Sequence, residues 1–113
     1  MTGGSGFLGS HVADELSNSG HKVTVFDKFK SPYIRLDQEM LVGDNLDSKM
    51  LNEAVAGNDI IYHFAGIVDS DSASGLSVDS IETEIRGLRN VCKSALKNDV
   101  EKVIYGSSCA VYG

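Results

Sequence analysis

The stretch Thr2-Gly3-Gly4-Ser5-Gly6-Phe7-Leu8-Gly9 repeats glycine at every third position and runs directly into a helical pattern. Glycines at this spacing allow a sharp turn, a close approach of the backbone to a pyrophosphate and tight packing of a helix on a sheet. The amides at the start of the helix carry the positive end of its dipole, which favours anions. The stretch therefore predicts a strand-to-helix turn that binds a dinucleotide, with a turn that binds no ligand as the alternative.

An acidic residue follows at the spacing that this interpretation requires. Asp27 lies 18 residues after Gly9 and ends the apolar run Val23-Thr24-Val25-Phe26. A dinucleotide fold places here the carboxylate that accepts hydrogen bonds from the adenosine ribose. The same carboxylate would repel a 2′-phosphate, so the sequence favours NAD over NADP, although the nearby charges of Lys28 and Lys30 weaken that argument.

Size and charge limit the classes of function. The chain has 113 residues, a net charge of −6 and a hydrophobic fraction of 42%, as expected of one small globular domain. The acidic balance argues against nucleic-acid and membrane partners, and no apolar run approaches the roughly 20 residues of a membrane span. Cys92 and Cys109 have no metal-site spacing, and we expect no secretory signal. We expect a cytoplasmic protein without a metal site.

Strand-like apolar runs alternate with helical spacing along the chain. We expect helices after the glycine turn, after the N-cap residue Asp47 and over 78–98, where an apolar stripe carries Ile81, Ile85, Leu88, Cys92 and Ala95. We expect strands at 22–27, 40–42, 60–64 and 103–105, with loops at 28–38 and 67–77. This alternation predicts an α/β fold with a doubly wound parallel sheet.

Four segments together match one known pattern. They are residues 2–11, Gly43-Asp44 with Asp47, His63-Phe64-Ala65-Gly66, and Ser107-Ser108-Cys109-Ala110-Val111-Tyr112-Gly113. In this order the chain resembles the extended short-chain dehydrogenase/reductases, in the nucleotide-sugar epimerase/dehydratase branch. The resemblance spans the whole chain and implies a partial, Rossmann-like NAD-binding domain over residues 1–113.

The resemblance implies a role for each matching position. The glycine turn and its following amides would bind the pyrophosphate, Asp27 the ribose hydroxyls and Asp44 the adenine amino group, with the Asn45 amide beside it. Ser108 would be the catalytic residue that hydrogen-bonds the reacting sugar oxygen. The implied cofactor-binding set is Gly3, Gly6, Phe7, Leu8, Gly9, Asp27, Asp44, Asn45, Ala65 and Gly66. The implied partners are a nucleotide-sugar substrate and a second copy, through the helix at 78–98.

Parts of the family pattern are absent from the sequence. In the family, the general base is a Tyr that lies four residues before a Lys. Here Asp37, Gly66 and Cys109 lie four residues after Tyr33, Tyr62 and Tyr105, and Tyr112 has no residue at that distance. We expect the C-terminal substrate region to be missing as well, and the chain to be inactive alone. Only Met1 and Thr2 precede the glycines, so we also expect most of the first strand to be missing and its two neighbours to be left unpaired.

Smaller departures leave the subfamily open. Glu84 and Leu88 replace an Asn and a Thr of the family's long helix, and Cys109-Ala110 replace the Asp-Glu of the sugar 4,6-dehydratases. We therefore expect the cofactor-binding part of an NAD-dependent nucleotide-sugar epimerase that acts by transient oxidation of a sugar hydroxyl. The alternatives are an extended-family alcohol reductase or dehydrogenase and a non-catalytic NAD(P)-binding module.

Overall fold

The computed structural model describes residues 1–66, 78–108 and 112. The elements in chain order are α1 (Phe7–Asn18), β1 (Val23–Asp27), β2 (Gln38–Val42), α2 (Ser48–Val55), β3 (Ile60–His63), α3 (Val78–Lys97) and β4 (Lys102–Tyr105). The predicted alternation of strands and helices is confirmed, although β2 begins two residues earlier than the sequence pattern indicated. The predicted loop at 67–77, and most of the motif from Cys109 onward, lie outside the described residues.

The strands pair in parallel. β1 pairs with β2 from Val23 opposite Gln38 onward, and β3 pairs with β4 from Ile60 opposite Lys102 onward. Thr2 forms parallel bridges to both β1 and β3 and so joins the two pairs. This parallel arrangement is the α/β architecture that the sequence predicted.

The segment before the glycine turn corrects one expectation, since β1 and β3 do share a partner at their carboxyl ends. The Thr2 amide donates to the Tyr62 carbonyl at 2.9 Å, and the Gly3 amide donates to the Phe26 carbonyl at 3.0 Å. The expectation that the two strands are unpaired was wrong at their carboxyl ends, because residues 1–3 form backbone hydrogen bonds with both strands. Between the amino-terminal halves of β1 and β3 lies a cavity of about 370 Å³.

Alternate residues of β1 pack on opposite faces of the sheet. Val23 and Val25 pack with Ala13 of α1. Phe26 packs on the other face, in a cluster of α2, α3 and β3 residues around Leu51, whose side chain is fully buried. Because side chains alternate along a strand, one short run builds two apolar layers. The strands therefore have helices on both faces, as a doubly wound fold requires.

The buried face of α3 overlaps only in part with the predicted apolar stripe, of which Ala95 is buried. Ile81 and Ile85 are 44% and 52% exposed, whereas the buried residues of the helix are Gly87, Val91, Ser94 and Ala95. Small residues permit a close approach to α2, and the Ser94 hydroxyl donates to Asn52 Oδ1 of that helix at 2.7 Å. Helical periodicity thus predicted the element correctly, but steric fit decided which face packs.

Candidate cofactor-binding site

A cavity of about 430 Å³ lies at the carboxyl ends of β1 and β3, beside the glycine turn. This volume lies within the usual range of small-molecule sites, and the crevice beyond the carboxyl ends of parallel strands is where α/β folds bind ligands. The predicted cofactor-binding residues that line the cavity are Gly3, Gly6, Asp27, Asp44, Asn45, Ala65 and Gly66.

The glycines of the turn serve different purposes. A Cβ on Gly3, which has a φ of 74°, would lie 2.4 Å from the Ala65 nitrogen, and a Cβ on Gly9 would lie 2.2 Å from the Gly3 oxygen. Both contacts are far below van der Waals distance, so these two positions must be glycine for the turn to pack. Among the residues that the structure describes, a Cβ on Gly6 would meet only the Gly3 oxygen, at 3.5 Å. The packing of the chain itself therefore does not require glycine at position 6, where the backbone is exposed toward the cavity.

The helix α1 begins directly after the glycine turn. Phe7 and Leu8 are the first residues of α1, and their side chains are exposed and do not line the cavity. Gly6, the N-cap residue, supplies no side-chain acceptor, and the first turn contains no acidic residue. Amides at an uncapped helix start can be satisfied by a bound anion. Phe7 and Leu8 would accordingly contribute through their backbone.

Asp27 is held against the glycine turn by backbone donors. Its Oδ2 accepts a hydrogen bond from the Ser5 amide at 3.0 Å, and its Oδ1 accepts one from the Phe29 amide at 3.2 Å. The Ser5 hydroxyl donates to the Phe29 carbonyl at 2.7 Å, which fixes the loop after β1 to the same turn. Since a carboxylate has about four lone-pair sites, Asp27 retains acceptor capacity for further donors.

Asp44 lies next to Asp27 across the end of the sheet. The Gly43 amide donates to the Asp27 carbonyl at 2.9 Å, and a Cβ on Gly43 would lie 2.7 Å from the Phe26 ring. Glycine at position 43 thus allows the loop after β2 to pass close to β1. Partial burial raises the pKa of Asp44, but the hydrogen bond from the Leu46 amide and the Lys28 ammonium outweigh it and hold the pKa below its usual value.

The far end of the cavity is formed by residues that follow β3 and by one face of α3. Ala65 and Gly66 follow β3, and Thr83, Glu84, Gly87 and Leu88 come from α3. The substitutions at 84 and 88 that depart from the family pattern therefore line the same cavity as the glycine turn. Ser108 is exposed and does not line the cavity. Its predicted catalytic role stays a prediction.

Sequence reasoning missed several residues of the cavity. Ser5 was overlooked, although its place inside the glycine turn was a usable signal. The charge of Lys28 was considered only for the choice between NAD and NADP, and Phe29 was given no role, yet both residues line the cavity. In the described part of the chain, no group of three His, Cys, Asp or Glu side chains could hold a metal ion. No helix within that part is both long and apolar enough to cross a membrane.

Comparison with known proteins identifies relatives that cover nearly the whole chain. A UDP-N-acetyl-alpha-D-glucosaminuronate decarboxylase of Bacillus cytotoxicus is 39% identical over 123 residues, covering 100% of this chain and 37% of the relative. A crystal structure of UDP-galactose 4-epimerase matches with a TM-score of 0.86 at 29% identity, covering 99% of this chain and 38% of the other. A mutant uronate dehydrogenase of Agrobacterium tumefaciens, complexed with NAD, matches with a TM-score of 0.80 at 25% identity. This match covers 95% of this chain and 39% of the dehydrogenase.

The chain thus spans little more than a third of the length of these proteins. The part that matches is the parallel sheet with its glycine turn, and structural neighbours bind NAD. The sequence model of the NAD dependent epimerase/dehydratase family covers residues 1–113. This chain belongs to the NAD-dependent epimerase/dehydratase family.

Proposed function

We propose that residues 1–113 bind NAD as the cofactor-binding part of an NAD-dependent nucleotide-sugar epimerase. The observation that carries the proposal is the hydrogen bond of 3.0 Å between the Ser5 amide and the Asp27 carboxylate. It joins the predicted pyrophosphate turn to the predicted ribose acceptor at one cavity. A dinucleotide needs both groups at this separation, because its ribose and pyrophosphate are directly linked.

The cavity accommodates the adenosine half of the cofactor at its β1 and β2 end. The amides of Phe7 and Leu8 donate to the pyrophosphate, with Gly3, Gly6 and Gly9 shaping the turn. Asp27 accepts from the ribose hydroxyls, and its negative charge disfavours a 2′-phosphate there. The Asp44 carboxylate accepts from the adenine amino group, with the Asn45 amide beside it.

Ala65 and Gly66 would line the part of the cavity that holds the nicotinamide half. Gly66 is exposed, and a Cβ there would come no closer than 3.6 Å to the Glu84 carboxylate. The chemistry that bound NAD supplies is reversible hydride transfer at a sugar carbon. Ser108 orients the sugar oxygen by a hydrogen bond, but a lone hydroxyl is a poor base near neutral pH. The sequence contains no Tyr-x-x-x-Lys, so residues 1–113 bind the cofactor without turning over a sugar.

A second candidate is the cofactor-binding part of an alcohol dehydrogenase. The similarity to uronate dehydrogenase favours it, and Cys109-Ala110 in place of Asp-Glu agrees with either enzyme. The two candidates differ in the fate of the hydride, which an epimerase returns to its substrate and a dehydrogenase releases as NADH. Accumulation of NADH by a longer protein that contains these residues would select the dehydrogenase.

The direct test is calorimetric titration of the chain with NAD and with NADP, for the wild type and for Asp27→Asn. We expect the wild type to prefer NAD. Asp27→Asn should weaken the binding of NAD, because the charged acceptor is lost. It should also reduce the preference of the site for NAD over NADP. A hydrogen bond to a charged group corresponds to about 1.5–3 kcal/mol, or at least tenfold in Kd. The proposal fails if the folded wild type binds neither dinucleotide.

A further inference from the structure

An ion pair joins the two loops at the adenosine end of the cavity. The Lys28 Nζ lies 2.9 Å from Asp44 Oδ2, while Asp44 Oδ1 accepts a hydrogen bond from the Leu46 amide at 2.9 Å. Lys28 directly follows β1, and Asp44 lies two residues beyond the end of β2, the strand paired with β1. Both residues line the cavity. The ion pair therefore crosses the position at which the proposed adenine ring would approach Asp44.

The ion pair engages the acceptor that the adenine amino group needs. Asp44 Oδ1 is directed to the backbone of its own loop, and Oδ2 is the oxygen that Lys28 contacts. A distance of 2.9 Å is that of a charge-assisted hydrogen bond. An amino group that donates to Oδ2 in the same direction would have to displace the ammonium.

A second lysine nearby lacks this contact. Lys30 also lines the cavity, but within the described residues the ion pairs are Lys28–Asp44 and Arg35–Asp37. Lys28 and Lys30 thus carry the same charge on the same loop. They differ in whether that charge is bound to Asp44.

We propose that the Lys28–Asp44 pair is a clasp that competes with the adenine amino group for Asp44, and that Lys28 thereby tunes the affinity of the site for 6-aminopurine nucleotides. The inference rests on the proposed function, because it requires adenosine to bind at Asp44. Lys28 acts here as a specificity-determining residue and takes no part in hydride transfer. The side chains of the pair are 55% and 38% exposed, and exposed pairs of this kind change an equilibrium by about twofold to fivefold.

The test compares Lys28→Gln with the matched control Lys30→Gln in calorimetric titrations with NAD. Both variants lose one positive charge beside an anionic ligand, so both lose the same long-range attraction. Only Lys28→Gln also opens the clasp, and we expect it to bind NAD about twofold to fivefold more tightly than Lys30→Gln. The difference should shrink as sodium chloride is raised, because salt screens exposed charges.

A second ligand separates the clasp from a general effect on the loop. Nicotinamide hypoxanthine dinucleotide has an oxygen in place of the 6-amino group, so its 6-position cannot donate to Asp44 and can instead accept from the Lys28 ammonium. We expect Lys28→Gln to bind this analogue no more tightly than Lys30→Gln does. A merely structural effect of Lys28 would change the binding of both dinucleotides alike.

The unliganded chain provides an independent measurement of the clasp. In a carbon-detected titration of the carboxyl groups, Lys28→Gln should raise the pKa of Asp44, whereas Lys30→Gln should leave it in place. Equal NAD affinities of the two variants, with binding by the wild type intact, overturn the clasp alone. A folded wild type that binds no NAD overturns the proposed function, and the clasp with it.

Discussion

The substitution Gly6→Ala should separate cofactor binding from folding. A Cβ at position 6 would meet the Gly3 oxygen at 3.5 Å, an ordinary contact, and would clash with no other part of the described chain. The backbone at Gly6 has φ −77° and ψ 173°, an extended conformation that any residue adopts. We therefore expect the free energy of unfolding to change by less than about 1 kcal/mol, since reduced freedom of the unfolded chain and a poorer N-cap oppose each other.

Binding should respond very differently, because the added methyl group projects from a residue that lines the cavity. A methyl carbon needs about 3.5–4.0 Å to a phosphate oxygen, whereas an amide donor needs about 2.9 Å. The phosphate would have to retreat by up to about 1 Å from the amides of Phe7 and Leu8. Loss of one charge-assisted hydrogen bond is equivalent to about 1.5–3 kcal/mol, so NAD should bind about 10- to 150-fold more weakly.

The matched control is Gly9→Ala, in which the same methyl group meets the Gly3 oxygen at 2.2 Å and the Gly4 Cα at 2.8 Å. Both contacts are with backbone, which yields less easily than the end of a side chain, so this variant should lose about 1–3 kcal/mol of stability or more. Urea denaturation measures the stability of each variant, and calorimetric titration with NAD measures binding. Wild-type affinity in a folded Gly6→Ala protein, or wild-type stability in Gly9→Ala, would refute the assignment of roles to these glycines.

Three further predictions concern stability and are checked by chemical denaturation. Leu51→Ala should lower the free energy of unfolding by about 2–5 kcal/mol, because this side chain of α2 is fully buried in the core. A loss below about 1 kcal/mol would contradict that packing. Asp47→Ala should cost about 0.5–2 kcal/mol, since Asp47 accepts from two amides at the start of α2; Asp47→Asn, which keeps an acceptor, should cost less. Burial and the nearby terminal ammonium hold the pKa of His63 below its usual 6.5, so the unfolded state binds more protons, and stability should fall as pH drops below about 6.5. His63→Gln should reduce that slope but not abolish it, because the buried Met1 ammonium, whose pKa is lowered to about 6, contributes a slope of the same sign. A variant of the exposed His21 should keep the full slope.

The local features of the fold could be predicted because each has a cause that is close in sequence. Asp47 was predicted to cap α2, and its Oδ1 accepts from the Lys49 and Met50 amides at 3.0 and 3.1 Å. Gly20 and Gly57 lie just beyond the ends of α1 and α2, and both have the positive φ values typical of glycines that end helices. Such features depend on a few neighbouring residues, whose preferences the sequence states directly.

Features that depend on distant contacts were predicted less well. The face that α3 buries is set by the match between its small residues and α2, so the larger apolar residues Ile81 and Ile85 did not decide it. The pairing of Thr2 with both β1 and β3 likewise depends on two strands that are distant in sequence. Hydrophobic periodicity identifies an element, but the partner of each face depends on the whole arrangement.

The candidate site shows the same contrast between features that nearby residues set and features that distant contacts set. The glycine spacing and Asp27 could be identified from sequence, because a turn beside a strand end imposes both. The contact of Lys28 with Asp44 could not be, because it depends on the rotamers of two partly exposed side chains on different loops. An exposed ion pair contributes little to folding, so the fold does not dictate it. A ligand that needs the same carboxylate oxygen nevertheless has to displace it, and a contact of little consequence for stability can therefore still change affinity.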